Sequence, residues 1–562
     1  MNVKLILFLF LFGGLIIFNV NALPASPLPL VERNDGGDTS LGTWKIVGKS
    51  GVNAMHAFLV SSRKFVFVDK LEGNDLKRPD GVSAISAEYD LDTNEARALS
   101  IYTNTFCSAG AWLGNGTLVE AGGDNGDANF RSGRQTVRLY DKTIGDWYEF
   151  EGVMPTMRWY PTMLSLPSGN VLVVGGAKAA TGVNKDSINN PSYTFYPPSG
   201  TVMEDFSLPF LTETLPYNLY PMVHVIPNFE GKTLLFIHVN QRSISFDIGT
   251  GKVVYEYPKM PGGFRNYPLT GTSVILPLTP TDNYKAKVMI CGGNKAYEIT
   301  SEGEASCGIL DLMTDKAQWE MNDFGGTPRI MPDATFLVDG TILFVNGART
   351  GFAGYRKGGG ANALWVNENP VLFPVLYDHF AKTFKPLASS IVPRMYHSVS
   401  SLVPDGTVLV TGSNPQGNVA IDVKYPTEYR VEIFSPPYLY TKTPRPNIIS
   451  LQTFEINKER IKVYYQQMVT LIVQVAGGPP NFTASLIHHG FITHSQNMGQ
   501  RYVYLEVENV WTDSTANDQY IVTVKLPQNP TIIAPGPSFL YLMNYDAPCV
   551  SGAEILLNEQ PK

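Results

Sequence analysis

The sequence predicts an all-β chain: a seven-bladed β-propeller followed by a C-terminal immunoglobulin-like β-sandwich. Three observations predict it. A strand–turn–strand–Gly element recurs seven times, with neighbouring centres roughly 53 to 66 residues apart. Charged residues make up only 17% of the chain, below the usual ~25%, whereas Gly (51), Pro (40), Tyr (28) and Phe (29) are abundant. Past a Pro-rich junction at 434–446 the Gly motif stops, and roughly 105 residues of short alternating strands follow.

Taken in order, residues 1–22 read as a signal peptide. Lys4 supplies the positive start, Leu5 to Val20 is mostly apolar, and Val20-Asn21-Ala22 is a small-residue cleavage site. A membrane anchor is the alternative. Residues 23–40, LPASPLPLVERNDGGDTS, form a polar, Pro-rich linker with no basic stop-transfer flank, which favours secretion. No second apolar run reaches the roughly 18 residues needed to span a bilayer. The C-terminus, LLNEQPK, has no hydrophobic tail for a glycolipid anchor. The expected location is extracellular, including the cell wall. Net charge is −7 with no basic cluster, so nucleic acid is not an expected partner. Asn115-Gly116-Thr117 and Asn481-Phe482-Thr483 are glycosylation sequons.

The repeat is clearest in WLGNGTLVEAGGD (112–124), LPSGNVLVVGGA (166–177), YKAKVMICGGN (284–294), LVDGTILFVNGA (337–348) and LVPDGTVLVTGS (402–413). Weaker copies are FLVSSRKFVFVDK (58–70) and FEGKTLLFIHVNQ (229–241). β-Branched arms around Asn-Gly or Asp-Gly turns are hairpins. A period near 50 ending in Gly-Gly is the kelch signature, one four-stranded propeller blade per copy. The kelch-type propeller is therefore assigned to 41–440 and the sandwich to 441–562. KVYYQQMVTLIVQV and QYIVTVKLP supply the alternation that marks sandwich strands.

Three segments share one phase, immediately upstream of an inner hairpin arm. Asn104-Thr105-Phe106-Cys107-Ser108 precedes the second blade, Met157-Arg158-Trp159-Tyr160-Pro161-Thr162 the third, and Arg394-Met395-Tyr396-His397-Ser398 the seventh. In a propeller, equal phase means the same face near the axis, so Cys107, Tyr160, Tyr396 and His397 should converge. Alone, the Tyr396-His397 pair reads as an edge aromatic beside a hydrogen-bonded rim histidine. The segment HHGFITHSQNMGQR (488–501) adds His488, His489 and His494, three of the eight histidines, on a loop of the second domain that could reach the axis. Two Tyr and two His with no carboxylate and a single thiol suit copper or iron rather than zinc or calcium. Of the four cysteines, Cys291 and Cys307 flank one short segment and are expected to form a local disulfide. Cys107 and Cys549 either pair over a long range, or Cys107 has another role.

The stretches FCSAGAWLGNGTLVEAGGD, MRWYPTMLSLPSGNVLVVGG, RMYHSVSSLVPDGTVLVTGSNP, FSPPYL and THSQNMGQR resemble the glyoxal oxidases of the galactose oxidase type, secreted copper radical oxidases. The resemblance covers essentially all of the chain after residue 22. It implies one copper ion held by Tyr160, Tyr396, His397 and His494. It also implies a thioether joining Cys107 to Tyr160 as the radical cofactor, with Tyr396 as axial ligand and base. The implied reaction oxidises small aldehydes of the glyoxal or methylglyoxal type to carboxylic acids and reduces O₂ to H₂O₂. The alternatives are a galactose-oxidase-like primary alcohol oxidase, or a non-catalytic kelch carbohydrate-binding or adhesion protein. Expected partners are a small aldehyde or alcohol and O₂, with peroxidases as users of the H₂O₂, no stable membrane insertion, and a monomeric chain. Two positions depart from the pattern. Where galactose oxidase has a tryptophan over the thioether, this chain has Lys178, and SAISAEYDL (83–91) lacks the cysteine many relatives carry, which leaves Cys549 without a partner. The Gly-rich insertion at 350–370 reads either as a border of the entrance or as a plain surface loop.

Overall fold

A computed structural model of the chain describes residues 38–358, 364–452, 455–456, 460–513 and 517–559. The expected signal peptide, residues 23–37 of the linker and residues 359–363 of the insertion lie outside these residues. Among the described residues no helix is long and apolar enough to cross a membrane.

Each sequence repeat supplies the inner hairpin of one blade. The second strands are Lys64–Val68, Leu118–Ala121, Val171–Val174, Leu234–Val239, Lys287–Gly292, Ile342–Val345 and Val408–Gly412. These strands are almost entirely buried because a neighbouring blade covers each of their faces, so they read as apolar runs rather than as alternation. Outer strands such as Lys252–Tyr257 are largely exposed. The ring closes between the two ends of the propeller segment: Thr43–Lys49 pairs antiparallel with Arg430–Ser435 as the outermost strand of the seventh blade. The disulfide Cys291–Cys307 forms as expected, between paired residues of adjacent strands in the fifth blade. Cys107 and Cys549 are both buried and free, so the long-range pair does not form.

The C-terminal residues fold as a sandwich whose two sheets are joined by one long strand. Arg501–Thr512 pairs with Phe482–His488 through its first half and with Gln519–Lys525 through its second. Val469, Leu471, Val522 and Val524 share one core with Leu486, Leu540 and Leu557. The sandwich docks on the propeller face that carries the hairpin turns. Arg460 donates to Gly116 O at 3.1 Å, Tyr502 Oη to Val338 O at 2.9 Å, and Arg445 to Asp405 O at 2.6 Å.

From this base a second hairpin, Phe491–Thr493 and Gln496–Met498, enters the propeller axis. Its first strand pairs with the innermost strand of the first blade, His56 opposite Thr493 and Ala57 opposite Ile492. That pairing satisfies backbone groups that would otherwise face an empty channel. Side chains attach the hairpin and the strand after it to other blades: Arg501 to Val225 O at 2.8 Å, Gln496 to Gly271 O at 3.1 Å, and Gln500 to Ala334 O at 3.2 Å. In the second blade, Gly110 faces Phe491 directly, and a Cβ there would overlap the ring.

Gly110→Ala therefore tests whether hairpin and axis are one unit. It should destabilise the fold by about 1–3 kcal/mol through overpacking. It should also weaken metal binding although it alters no ligand, as denaturant melts and copper titration would show.

Candidate metal centre

The backbone just before the inner strand repeats one device. Cys107, Tyr160, Tyr220, Met331 and His397 occupy this position in five blades, and all are left-handed, with φ between 47° and 64°. Such a conformation costs a non-glycine residue on the order of 1–3 kcal/mol and persists only where surroundings enforce it. Here neighbouring loops brace one another: Tyr160 N donates to Cys107 O at 2.9 Å and Tyr220 N to Tyr160 O at 3.1 Å. Buried arginines hold three of these loops, those of Tyr160, Met331 and His397, to their own blades. Arg158 donates to Gly175 O at 2.8 Å and Arg394 to Gly412 O at 2.7 Å, and Arg394 also meets Glu432 at 2.8 Å with both side chains 2% exposed. The motif glycines allow the close approach. Gly412 is left-handed, and a Cβ on it would stand 2.6 Å from Ala54 O.

These loops turn Cys107, Tyr160, Tyr396 and His397 toward one buried point, where His494 joins them from the axial hairpin. Tyr160 Oη and Tyr396 Oη are 2.7 Å apart, His397 Nε2 and His494 Nε2 3.0 Å, and Cys107 Sγ and His494 Nε2 3.5 Å. Cys107, His397 and His494 place their ligand atoms within 4.8 Å of one another. All five predicted residues thus lie together. His494 sits at the tip of the axial hairpin. His488 and His489 remain in the sandwich beside Ser538 and Tyr541.

Burial sets the protonation states. Desolvation pushes the phenols of Tyr160 and Tyr396 well above 10, and neighbouring Cys107 and Tyr267 add to it. Desolvation likewise raises the Cys107 thiol, opposed by its hydrogen bond with Tyr160. It lowers both imidazoles well below 6.5, helped at His397 by His494 and at His494 by His56. The two histidines are therefore neutral, and the gap between their Nε2 atoms suits one proton or one cation. Two nitrogens at right angles about a cation, each about 2.0–2.1 Å from it, would be about 2.9 Å apart, close to the spacing seen. Right-angled N and O donors suit copper(II). A cation would also supply the charge needed to ionise the buried phenols.

Several residues at the centre escaped the sequence reading. Tyr267 stacks on Tyr160 with centroids 4.2 Å apart, and Trp159 meets the same ring edge-on at 4.3 Å. Tyr220 packs 4.9 Å from the His494 ring. Part of the signal was present: Leu219-Tyr220-Pro221 repeats Trp159-Tyr160-Pro161 at the same phase, whereas Tyr267-Pro268 repeats the Tyr-Pro pair further ahead of its inner strand, Gly271–Ile275. The 350–370 insertion borders the centre through Tyr355, whose ring lies 5.2 Å from Tyr396 and 5.5 Å from His397. Tyr355 and Phe106 stack on each other and are partly exposed, so they form the outer rim. Lys178 is exposed and takes no part in covering Tyr160. Behind the ligands a cavity of about 10 Å³ touches Tyr396, His397 and His494, room for one water. A larger hollow of about 310 Å³ lies between the second blade and the sandwich and shares no residue with the centre.

Comparison with known proteins gives the same architecture a family. The model for the glyoxal oxidase N-terminus matches residues 70–438, and that for the galactose oxidase-like early set domain matches 445–554. "Aldehyde oxidase GLOX" of Vitis pseudoreticulata is 33% identical over 91% of this chain and 96% of its own length. "Aldehyde oxidase GLOX1" of Arabidopsis thaliana is 32% identical over 91% and 83%. Among solved structures, a fungal alcohol oxidase of the AA5 family in complex with copper superposes with a TM-score of 0.70. It is 21% identical and covers 92% of this chain and 100% of its own, a likeness of fold.

The placement of the histidines makes a direct test. His494→Ala should abolish stoichiometric copper binding in calorimetric titration. His489→Ala should retain it, because His489 is engaged with Tyr541 inside the sandwich.

Proposed function

The chain belongs to the glyoxal oxidase family, and from that membership and its centre we infer a copper-dependent oxidase that converts small aldehydes to carboxylic acids. O₂ is the acceptor and leaves as H₂O₂. In water such aldehydes stand in equilibrium with their hydrates, and RCH(OH)₂ + O₂ gives RCOOH + H₂O₂ with atoms and electrons balanced. The observation that carries the reading is the donor set itself: two phenols, two imidazoles and one thiol meeting in a buried centre with no carboxylate among them.

Tyr160, Tyr396, His397 and His494 would hold the copper. When bound, copper supplies a one-electron acceptor, whereas the substrate gives up two electrons. Tyr160 is proposed as the second one-electron store, taking the hydrogen atom from the substrate carbon at Oη. Tyr396 Oη, 2.7 Å from Tyr160 Oη, is proposed to receive and hold the proton of the substrate hydroxyl. Phe106, Trp159 and Tyr355 would keep bulk water from the reacting carbon.

The proposed cofactor is a thioether from Cys107 Sγ to an ortho carbon of Tyr160. Its formation removes the thiol hydrogen and one ring hydrogen, two electrons and two protons in all, which O₂ accepts. The sulfur would delocalise the oxidised phenol and make it easier to form. The free, buried state of Cys107 and the backbone contact that Tyr160 N makes to Cys107 O at 2.9 Å support this assignment. The apolar leader and the Cys291–Cys307 disulfide suit an oxidising compartment, so we place the protein outside the cell.

Two measurements test the reading. After copper loading, peroxide release should be faster with glyoxal or methylglyoxal than with a primary alcohol; the reverse order would make the protein an alcohol oxidase. Cys107→Ala should fold, since a small buried thiol behaves as a minor apolar group, and should still bind copper while turnover collapses. In the wild type, peptides holding Cys107 and Tyr160 should be joined, two hydrogens light and resistant to reductant. Separate, unmodified peptides from active enzyme would refute the thioether.

A further inference from the structure

We propose that His56 and Thr493 are positioning residues for His494, fixing the tautomer and ring plane of this ligand through a buried hydrogen-bond chain. The proposal rests on His494 being a ligand, as argued above.

The chain is continuous. Thr493 Oγ1 lies 2.6 Å from His494 Nδ1 and 2.6 Å from His56 Nδ1. His56 Nε2 lies 3.3 Å from Thr105 O and 3.3 Å from Ser108 Oγ. Ser108 Oγ donates to Glu120 Oε1 at 2.5 Å, and Arg138 stands 3.5 Å from the same oxygen. His56, Thr493, Thr105, Ser108, Glu120 and Arg138 are all wholly buried. Tyr220 Oη, which donates to Ser108 O at 2.8 Å, flanks Thr493.

Two acceptors fix the direction of every bond. The Thr105 carbonyl can only accept, and the Ser108 hydroxyl has given its proton to Glu120. His56 must therefore carry its proton on Nε2, which leaves a lone pair on Nδ1. That lone pair takes the Thr493 hydroxyl proton. Thr493 Oγ1 can then only accept from His494 Nδ1–H. His494 Nε2 is left as a lone pair, aimed at His397 Nε2 3.0 Å away. A ligating histidine is commonly set in this way by the partner of its other nitrogen.

The contrast with His397 shows why His494 needs the chain. His397 follows Tyr396 on one rigid loop, and its ring stacks on that of Tyr396 at 3.9 Å. Its Nδ1 has no partner among the described residues. His494 arrives from another domain on a two-stranded hairpin, and the Thr493–His56 pair is both its register contact and its orienting bond. A slip of one residue would turn Thr493 to the opposite face and break the chain.

The test compares Thr493→Val, which keeps the shape and loses the hydroxyl, with Thr493→Ser, which keeps the hydroxyl. Thr493→Val should raise the copper dissociation constant about 10- to 100-fold and alter the nitrogen hyperfine pattern of the Cu(II) EPR spectrum. Thr493→Ser should restore both. Wild-type affinity and spectrum in Thr493→Val would overturn the proposal, as would equal losses in the two variants, which would indicate packing alone. A second readout needs no change in the chain. In ¹⁵N-histidine-labelled apoprotein the His494 signal, identified by its loss in His494→Ala, should show the Nδ1–H tautomer; an Nε2–H tautomer would overturn the proposal. Full copper binding by His494→Ala would instead defeat the ligand assignment, a result separable from any effect at Thr493.

Discussion

The structure depends on one strand pairing inside the propeller axis. Thr493 and Ile492 of the C-terminal domain lie against His56 and Ala57 of the first blade. Through this contact the sandwich fills the channel, completes a sheet edge and delivers the last ligand. The centre is accordingly non-local throughout: its phenol pair is 236 residues apart in sequence and its imidazole pair 97. Neither domain holds the donor set alone, so docking of the domains and assembly of the site are the same event. Gly110 keeps that event possible by leaving room for Phe491.

The electrostatics of the centre follow from what it omits. Ionic groups close to the centre, such as Lys70 paired with Glu72 at 2.5 Å, lie outside the donor set. Thiol, phenols and imidazoles are all driven by burial toward their neutral forms. Such a pocket is inert until a cation enters, and metal binding must then release protons from the phenols. A carboxylate ligand would have stabilised a hard cation without redox chemistry. Phenols beside a thiol give the protein oxidisable groups of its own.

The cover over Tyr160 differs from the galactose oxidase pattern. The indole expected from that pattern is absent: the position is Lys178, which is exposed. Tyr267 lies parallel to Tyr160 instead, and Trp159 closes its edge. Tyr355 adds a rim from a segment inserted within the sixth blade, and its hydroxyl is buried without a partner among the described residues. Tyr267, Trp159 and Tyr355 thus come from three different segments, two of them loops ahead of inner strands and one an insertion.

The sequence by itself determined the blade count, because each blade must write its own strand, turn, strand and glycine into the chain. It also determined which face carried Cys107, Tyr160, Tyr396 and His397, because equal phase in a repeat means equal position in the ring. The pairing of Cys291 with Cys307 was legible for the same local reason. What the tertiary structure alone decided was how other parts of the chain met that face. Nothing in HHGFITHSQNMGQR states that it forms a hairpin, that the hairpin enters the axis, or that Thr493 faces His56 when it does. Nor does the spacing of Tyr267 or Tyr355 state which ring each will cover. A repeat encodes position around an axis, whereas contacts along the axis arise from packing between segments hundreds of residues apart, which no local pattern records.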